Sequence, residues 1–461
     1  MGPETSGPES AVLPVPTRGI ASRLRGAARG GTASIVGSAL TINILRIVSS
    51  MTLTRLLSAE AFGVSGIVFS VSMVIQLISD VGLYAFIVRH EKGDDARFLD
   101  EIWSLRLLRS AALTIVMAAL SWPIAKVLGK PQMAAVLAVW SLNFIIEGLG
   151  SLAFATAVRQ QKLWGLTAME VIGAVTQLVV SILLALILHN YWALVFAMLA
   201  GFAIKAVISY TMFPGSRRRF VIDRPRAREL WAFSRYIAMS SILTMLIMQS
   251  DKLVLARMMP LAVYGFYAIA TTLATAPLPL AHTYTNRILF PAYSEAARAD
   301  PPYLRDLYYS KRRLAALGYM FAAGGLIGGA SLLVAVLYDH RYASVPPYLQ
   351  LMAISTIVYF PNNAAEEALV ASGRTRWTLY ANIARIGWLG TMGIAALLAH
   401  QVMLLVAVVG TVEVAAMLVY WEGLRRLRLL NLWQEGLGFA AGAGGLALGA
   451  IVSRIGFALI G

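Results

Sequence analysis

The sequence predicts an all-α, polytopic membrane protein: two six-helix bundles related by a pseudo-two-fold axis along the membrane normal, plus a thirteenth helix. Three observations carry that expectation. The composition is 58% hydrophobic and only 13% charged, with a mean hydropathy of +0.70. A soluble chain of 461 residues could not bury so much apolar surface, whereas a bilayer solvates it. Apolar windows of about 20 residues, the length of a membrane-spanning helix, recur along the chain. Finally, one phrase occurs twice. LTRLLSAEAFG, from Leu53 to Gly63, returns as LARMMPLAVYG, from Leu255 to Gly265. At this offset of 202, Leu53 matches Leu255, Arg55 matches Arg257, Phe62 matches Tyr264 and Gly63 matches Gly265. A repeat at a little under half the length points to a chain of two similar halves.

In order, the first six windows are 33–57, 62–88, 104–127, 133–157, 164–188 and 191–213, an N-lobe over 33–213. A basic linker, 214–235, leads to a C-lobe over 236–421 with windows 236–259, 265–290, 314–337, 348–371, 378–399 and 401–421. Residues 422–461 hold a second basic linker and a Gly-rich run, 436–460, as the extra helix. Residues 1–32 begin Pro-, Gly- and Ser-rich and then carry Arg18, Arg23, Arg25 and Arg29. They read as a disordered basic cytoplasmic tail rather than a cleaved signal.

Charge placement predicts orientation. With the N-terminus inside, 27 of the 39 Lys and Arg fall on cytoplasmic segments, whereas Lys126, Lys130 and Arg341 alone fall outside. That bias follows the positive-inside pattern and implies a multi-pass protein with a cytoplasmic N-terminus. The net charge of +16 is divided among short links, with no basic folded domain, so nucleic acid is not an expected partner. The larger links, 214–235 and 291–313, read as helices lying against anionic lipid. External loops are short, the longest being Tyr338–Pro347, which leaves no room for an external catalytic domain. There is no cysteine, the five histidines have no metal-ligand spacing, and no phosphate loop occurs. Neither catalytic residues nor a metal nor another cofactor is expected.

Ionisable groups within the apolar windows are the candidate functional residues, because charge in hydrocarbon is costly and marks polar interiors. Arg46, Lys252, Arg287 and Arg385 are candidate cavity cations for an anionic substrate, since guanidinium suits the bidentate geometry of phosphate. Asn43, three residues before Arg46, shares its helix face. Asn43, Glu147, Asp251 and Glu366 are candidate polar or ion-coupling groups, while Lys205 and Glu170 read as a structural pair. Arg55, Gly63, Arg257 and Gly265 form an external turn or gate, with Ser58 as the expected N-cap of the second helix.

Several stretches in order, RLLSAEAFG, SDVGLYAFIVRH, QSDKLVLARMMPLAVYGFYAIA, RILFPAYSE and LYDHRYASVPPYL, resemble those of the polysaccharide (O-antigen/exopolysaccharide, Wzx-type) flippases. These belong to the multidrug/oligosaccharidyl-lipid/polysaccharide exporter superfamily. The match runs over most of 30–400, with Ala59 and Ala61 in place of the usual Pro and Asp of the turn. The resemblance implies two lobes around a cationic cavity and alternating access. It further implies a non-enzymatic transporter that moves an undecaprenyl-diphosphate-linked oligosaccharide to the periplasmic face for lipopolysaccharide or exopolysaccharide synthesis. Membrane lipid, and a polysaccharide polymerase or glycosyltransferases, would be its partners; membrane potential, H+ or Na+ would drive it. The alternatives are a multidrug or cation antiporter of the same fold and, from another class, a membrane glycan polymerase or ligase.

Overall fold

The structure is a computed structural model that describes residues 41–460 apart from 43, 80–81, 161–162, 214–217 and 300. The basic tail and Asn43 therefore lie outside the described residues. Among those described, no strand occurs. The protein is a polytopic all-α membrane protein. Among the described residues eight helices are long and apolar enough to cross a bilayer, and a helix pair bent by 72° makes a ninth if it counts as one span.

The first described helix is α1 (41–56, residue 43 aside). The second crossing is broken into α2 (Ala59–Ile78) and α3 (Leu83–Arg89). Ser58 occupies the N-cap of α2 with extended backbone, but its exposed hydroxyl makes no capping bond, contrary to expectation. Helix α4 (Ala96–Val127) starts earlier than its apolar window, because the Asp95 carboxylate accepts from the Phe98 amide at 2.8 Å. Asp95→Ala should lower stability by about 1 kcal/mol, and Asp95→Ser much less. Thermal unfolding in detergent checks this. The fourth crossing is segmented into α5 (Met133–Trp140), α6 (Leu142–Leu149) and α7 (Ala153–Arg159), followed by α8 (Leu163–Leu188) and α9 (Trp192–Thr211).

In the second half, α10 (Arg224–Met258) is one continuous helix, so half of the expected linker is helical. Its first turns pack Leu230 and Phe233 against Phe86, Phe98 and Ile102 of the first half. Apolar side chains every three to four residues let a stretch dense in arginine still dock. The next crossing is α11 (Leu261–Thr275), α12 (Leu278–Tyr284), a π-helical turn (Thr285–Leu289) and α13 (Phe290–Ala299). Pro291 explains the π turn: without an N–H it cannot bond the Arg287 carbonyl, and its ring displaces that carbonyl from the helix. Then follow α14 (Pro301–Gly328) and α15 (Ala330–Leu337), α16 (Val345–Ala371), α17 (Arg376–Leu398), and α18 (Val402–Gly410) with α19 (Val412–Arg426).

The Gly-rich run forms α20 (Leu432–Ile460), which packs along α14. Glycines permit contact at backbone distance: a Cβ at Gly324 or Gly445 would lie 1.9 Å from the Gly442 or Phe321 carbonyl oxygen. A buried ion pair between Arg312 and Glu435 ties the other end of the seam, with Arg312 stacked on the Tyr308 and Tyr309 rings. Helix α20 thus runs from the face of the basic links to the face of the short loops.

Candidate functional site

The two copies of the repeated phrase meet. Helices α2 and α11 cross so closely that a Cβ at Gly63 would stand 2.1 Å from the Leu261 carbonyl oxygen. A Cβ at Gly265 would stand 1.9 Å from that of Ala59. Ala59 and Leu261 are themselves equivalent under the 202-residue offset, so the contact is reciprocal, as at an interface between two copies of one chain. Around it, Val64, Ile67 and Val68 from one half share a core with Tyr264, Tyr267 and Ala270 from the other. The Tyr342 ring lies edge-on to both Phe62 and Phe266, each centroid 6.0 Å away. The halves are therefore sealed together at the short-loop face.

Away from the seal, Arg46 is exposed on α1 and Arg287 is exposed on the π turn. Among the described residues neither forms an ion pair. Immediately before Arg287, Asn286 lies 3.3 Å from the His282 ring. Lys252, half-buried, donates to the Met248 carbonyl of its own helix. Its neighbour Asp251 accepts from the Tyr267 hydroxyl at 2.9 Å, while its other oxygen is buried with no partner. Arg385 is engaged inside the second half: its guanidinium makes a fork to Glu413 at 3.0 and 2.9 Å and a bond to Asn382. Glu366 lies within electrostatic reach of that pair. The Lys205 ammonium meets Glu170 at 2.6 Å, a pair between α8 and α9 that mirrors the Arg385–Glu413 pair between α17 and α19. Arg55 and Arg257 are exposed at the ends of α1 and α10.

Sequence reasoning missed a cavity inside the first half. About 640 Å³ in volume, it is lined by Arg106, Arg109, Lys205, Glu147 and Glu170 together with apolar side chains. Arg106 donates to the Glu147 carbonyl at 2.6 Å, at the end of α6. Arg109 donates to the Ser79 carbonyl at 2.8 Å, at the end of α2. Each arginine satisfies carbonyls freed where a crossing breaks, at the negative pole of the helix. Glu147 is exposed to the cavity and accepts from Gln76 at 3.3 Å. The available signal was the i, i+3 spacing of Arg106 and Arg109 on a helix otherwise read as apolar.

The fold resembles that of solved transporters. The lipid II flippase MurJ, in an inward closed conformation, superposes with a TM-score of 0.73 over 92% of both chains at 11% identity. An inward-facing multidrug resistance MATE family transporter superposes with a TM-score of 0.58 over 86% of this chain and 98% of that one, at 14% identity. In sequence, the chain is 26% identical over 327 residues to the succinoglycan biosynthesis transport protein ExoT of Rhizobium meliloti (strain 1021). It is 22% identical over 342 residues to the lipopolysaccharide biosynthesis protein WzxC of Escherichia coli (strain K12). The matched regions span 69% and 72% of this chain but only 64% and 67% of those relatives. The family model described as "polysaccharide biosynthesis protein" matches residues 52–347, which covers the repeated phrase, the seal and the π turn, and the chain belongs to that family.

Proposed function

We propose that the protein is a flippase that carries an undecaprenyl-diphosphate-linked oligosaccharide from the cytoplasmic to the periplasmic face of a bacterial inner membrane. The observation that carries the reading is the pair of exposed arginines, Arg46 on α1, which leads into α2, and Arg287 on the crossing that begins with α11, with α2 and α11 sealed together at the short-loop face. Arg46 lies about 16 Å from the short-loop end of α1 at 1.5 Å per residue, near mid-bilayer. An arginine there is costly unless it faces water or an anion. The relatives named for succinoglycan transport and for lipopolysaccharide and amylovoran biosynthesis support a glycan substrate. In this reading the basic-link face is cytoplasmic, the halves rock between two states, and the guanidinium groups lower the cost of moving phosphate charge through hydrocarbon. Arg385, held by Glu413, stabilises the second half rather than the substrate. Asp251, Glu147 and Glu366 are the proposed carriers of any coupled H+ or Na+, with membrane potential as the other driving force.

Arg46→Ala and Arg287→Ala should each reduce surface glycan about tenfold or more, the scale of losing one hydrogen bond to a charged group. The lipid-linked precursor should accumulate on the cytoplasmic side. Normal export by both variants would overturn the reading.

A further inference from the structure

We propose that Lys130 and Arg341 form a reciprocal latch that holds the short-loop face shut, each half handing a cation to the end of the other half's first helix. The Lys130 ammonium, in the loop between α4 and α5, donates to the Ala256 carbonyl of α10 at 2.6 Å. The Arg341 guanidinium, in the loop between α15 and α16, donates to the Thr54 and Arg55 carbonyls of α1 at 3.1 and 3.0 Å. Thr54 and Ala256 occupy the same place in the repeated phrase, LTRLL and LARMM. Two loops with no sequence likeness, LGKPQ and YDHRYASVP, therefore deliver positive charge to one equivalent position. Both acceptors lie in the last turn of their helices, where carbonyls have no intrahelical partner and the helix dipole is negative.

The surroundings show a built joint. Gly129, at φ 68°, leaves room for Arg257, whose Nη1 would lie 2.6 Å from a Cβ placed there. On the other side the Tyr342 hydroxyl donates to the Leu57 carbonyl at 3.0 Å, and Ser50 donates to the Tyr338 hydroxyl at 3.0 Å. Asp339 aims Arg341: it accepts from the Arg341 amide at 3.1 Å and pairs with the guanidinium at 3.3 Å. The two arms differ in strength. Arg341 is half-exposed and has a counter-ion. Lys130 is 7% exposed, and among the described residues no carboxylate pairs with it. Burial lowers the pKa of its ammonium, and the nearby Arg257 pushes the same way. The Lys130 arm is the more sensitive to water, and opening rehydrates it. Lys130 and Arg341 are positioning residues: they set which face is open and touch no substrate.

The latch rests on the two-state part of the proposed function and not on the identity of the cargo. The chain has no cysteine, so Ala268→Cys is a single reporter. Ala268 lies within the seal, its Cβ 3.2 Å from where one at Gly66 would sit. In vesicles without glycan, a membrane-impermeant maleimide added at the short-loop face should react slowly with the reporter. Adding Lys130→Met and Arg341→Met together should raise that rate roughly tenfold or more, on the scale of removing hydrogen bonds to charged groups. Lys130→Met alone should have the larger share, while Lys130→Arg and Arg341→Lys should keep the parent rate. An unchanged rate in the double variant, or a rise of equal size from both faces, would overturn the latch; the latter marks general loosening. Neither result bears on the glycan-export phenotype of Arg46→Ala and Arg287→Ala, so the two readings fail separately.

Discussion

Alanine at Gly63 or Gly265 is expected to disable the protein, and leucine more so. The new Cβ would meet a backbone carbonyl oxygen at 2.1 or 1.9 Å, and backbone, unlike a side-chain tip, cannot swing aside. The helices must part or tilt, with an overpacking cost of about 1–3 kcal/mol for the smaller change. Separation also uncovers the shared core of Val64, Ile67, Tyr264 and Tyr267, so the cost grows with residue size. Gly63→Ala and Gly265→Ala should lower the melting temperature in detergent and abolish glycan export. Gly387→Ala is the control, since nothing lies within 4 Å of its added Cβ. There the replacement should be neutral or stabilise α17 by up to about 1 kcal/mol. Parent-like melting and export in both seal variants would refute the close crossing.

The second large effect is expected at Glu435. Its carboxylate and the Arg312 guanidinium are each about one-twentieth exposed, at 5% and 4%. Glu435→Ala leaves a buried arginine whose Nε already has no partner, and should cost about 3–5 kcal/mol. Glu435→Gln should cost less, because the Tyr309 hydroxyl, 3.0 Å from the carboxylate, can still bond an amide. Replacing both partners at once, Arg312→Met with Glu435→Leu, should recover most of the loss, since no charge is then stranded. Chemical denaturation of the three variants in detergent distinguishes these cases. A double variant as unstable as Glu435→Ala would show that packing, not charge, dominates the site.

Much of this architecture is legible in the sequence because the bilayer fixes helix length and hydrophobicity together. Each apolar window from 62–88 onward overlaps described helix, and the repeated phrase marks the place where the halves touch. What escapes is what depends on partners. Arg106 and Arg109 draw no functional role from the sequence, yet they close the broken ends of α6 and α2. The break after α6, at Gly150, Ser151 and Leu152, leaves little trace in hydropathy because its residues are as small or apolar as their neighbours. Arg312 falls in the link 291–313, read as lying against anionic lipid, but it is 3% exposed because α20 returns to cover it. Charge density likewise hides the helical start of α10, where only Leu230 and Phe233 signal the buried face. Arg385 is a clear candidate by sequence alone; the pairing that occupies it comes from Glu413 on another crossing.

The Arg312–Glu435 pair also constrains biosynthesis. The arginine leaves the ribosome 123 residues ahead of its partner. At about 5–20 residues per second that interval is on the order of ten seconds, during which a cation at the edge of the membrane has no carboxylate to meet. The Tyr308 and Tyr309 rings, 4.3 and 4.8 Å from it on the same helix, are in place from the moment of synthesis and can host it meanwhile. Helix α20, emerging later, then carries in the missing charge along a glycine track already laid down by α14. Synthesis of α20 and neutralisation of the buried arginine are therefore linked, so a nascent protein cut short before Glu435 would show quality control an orphaned charge.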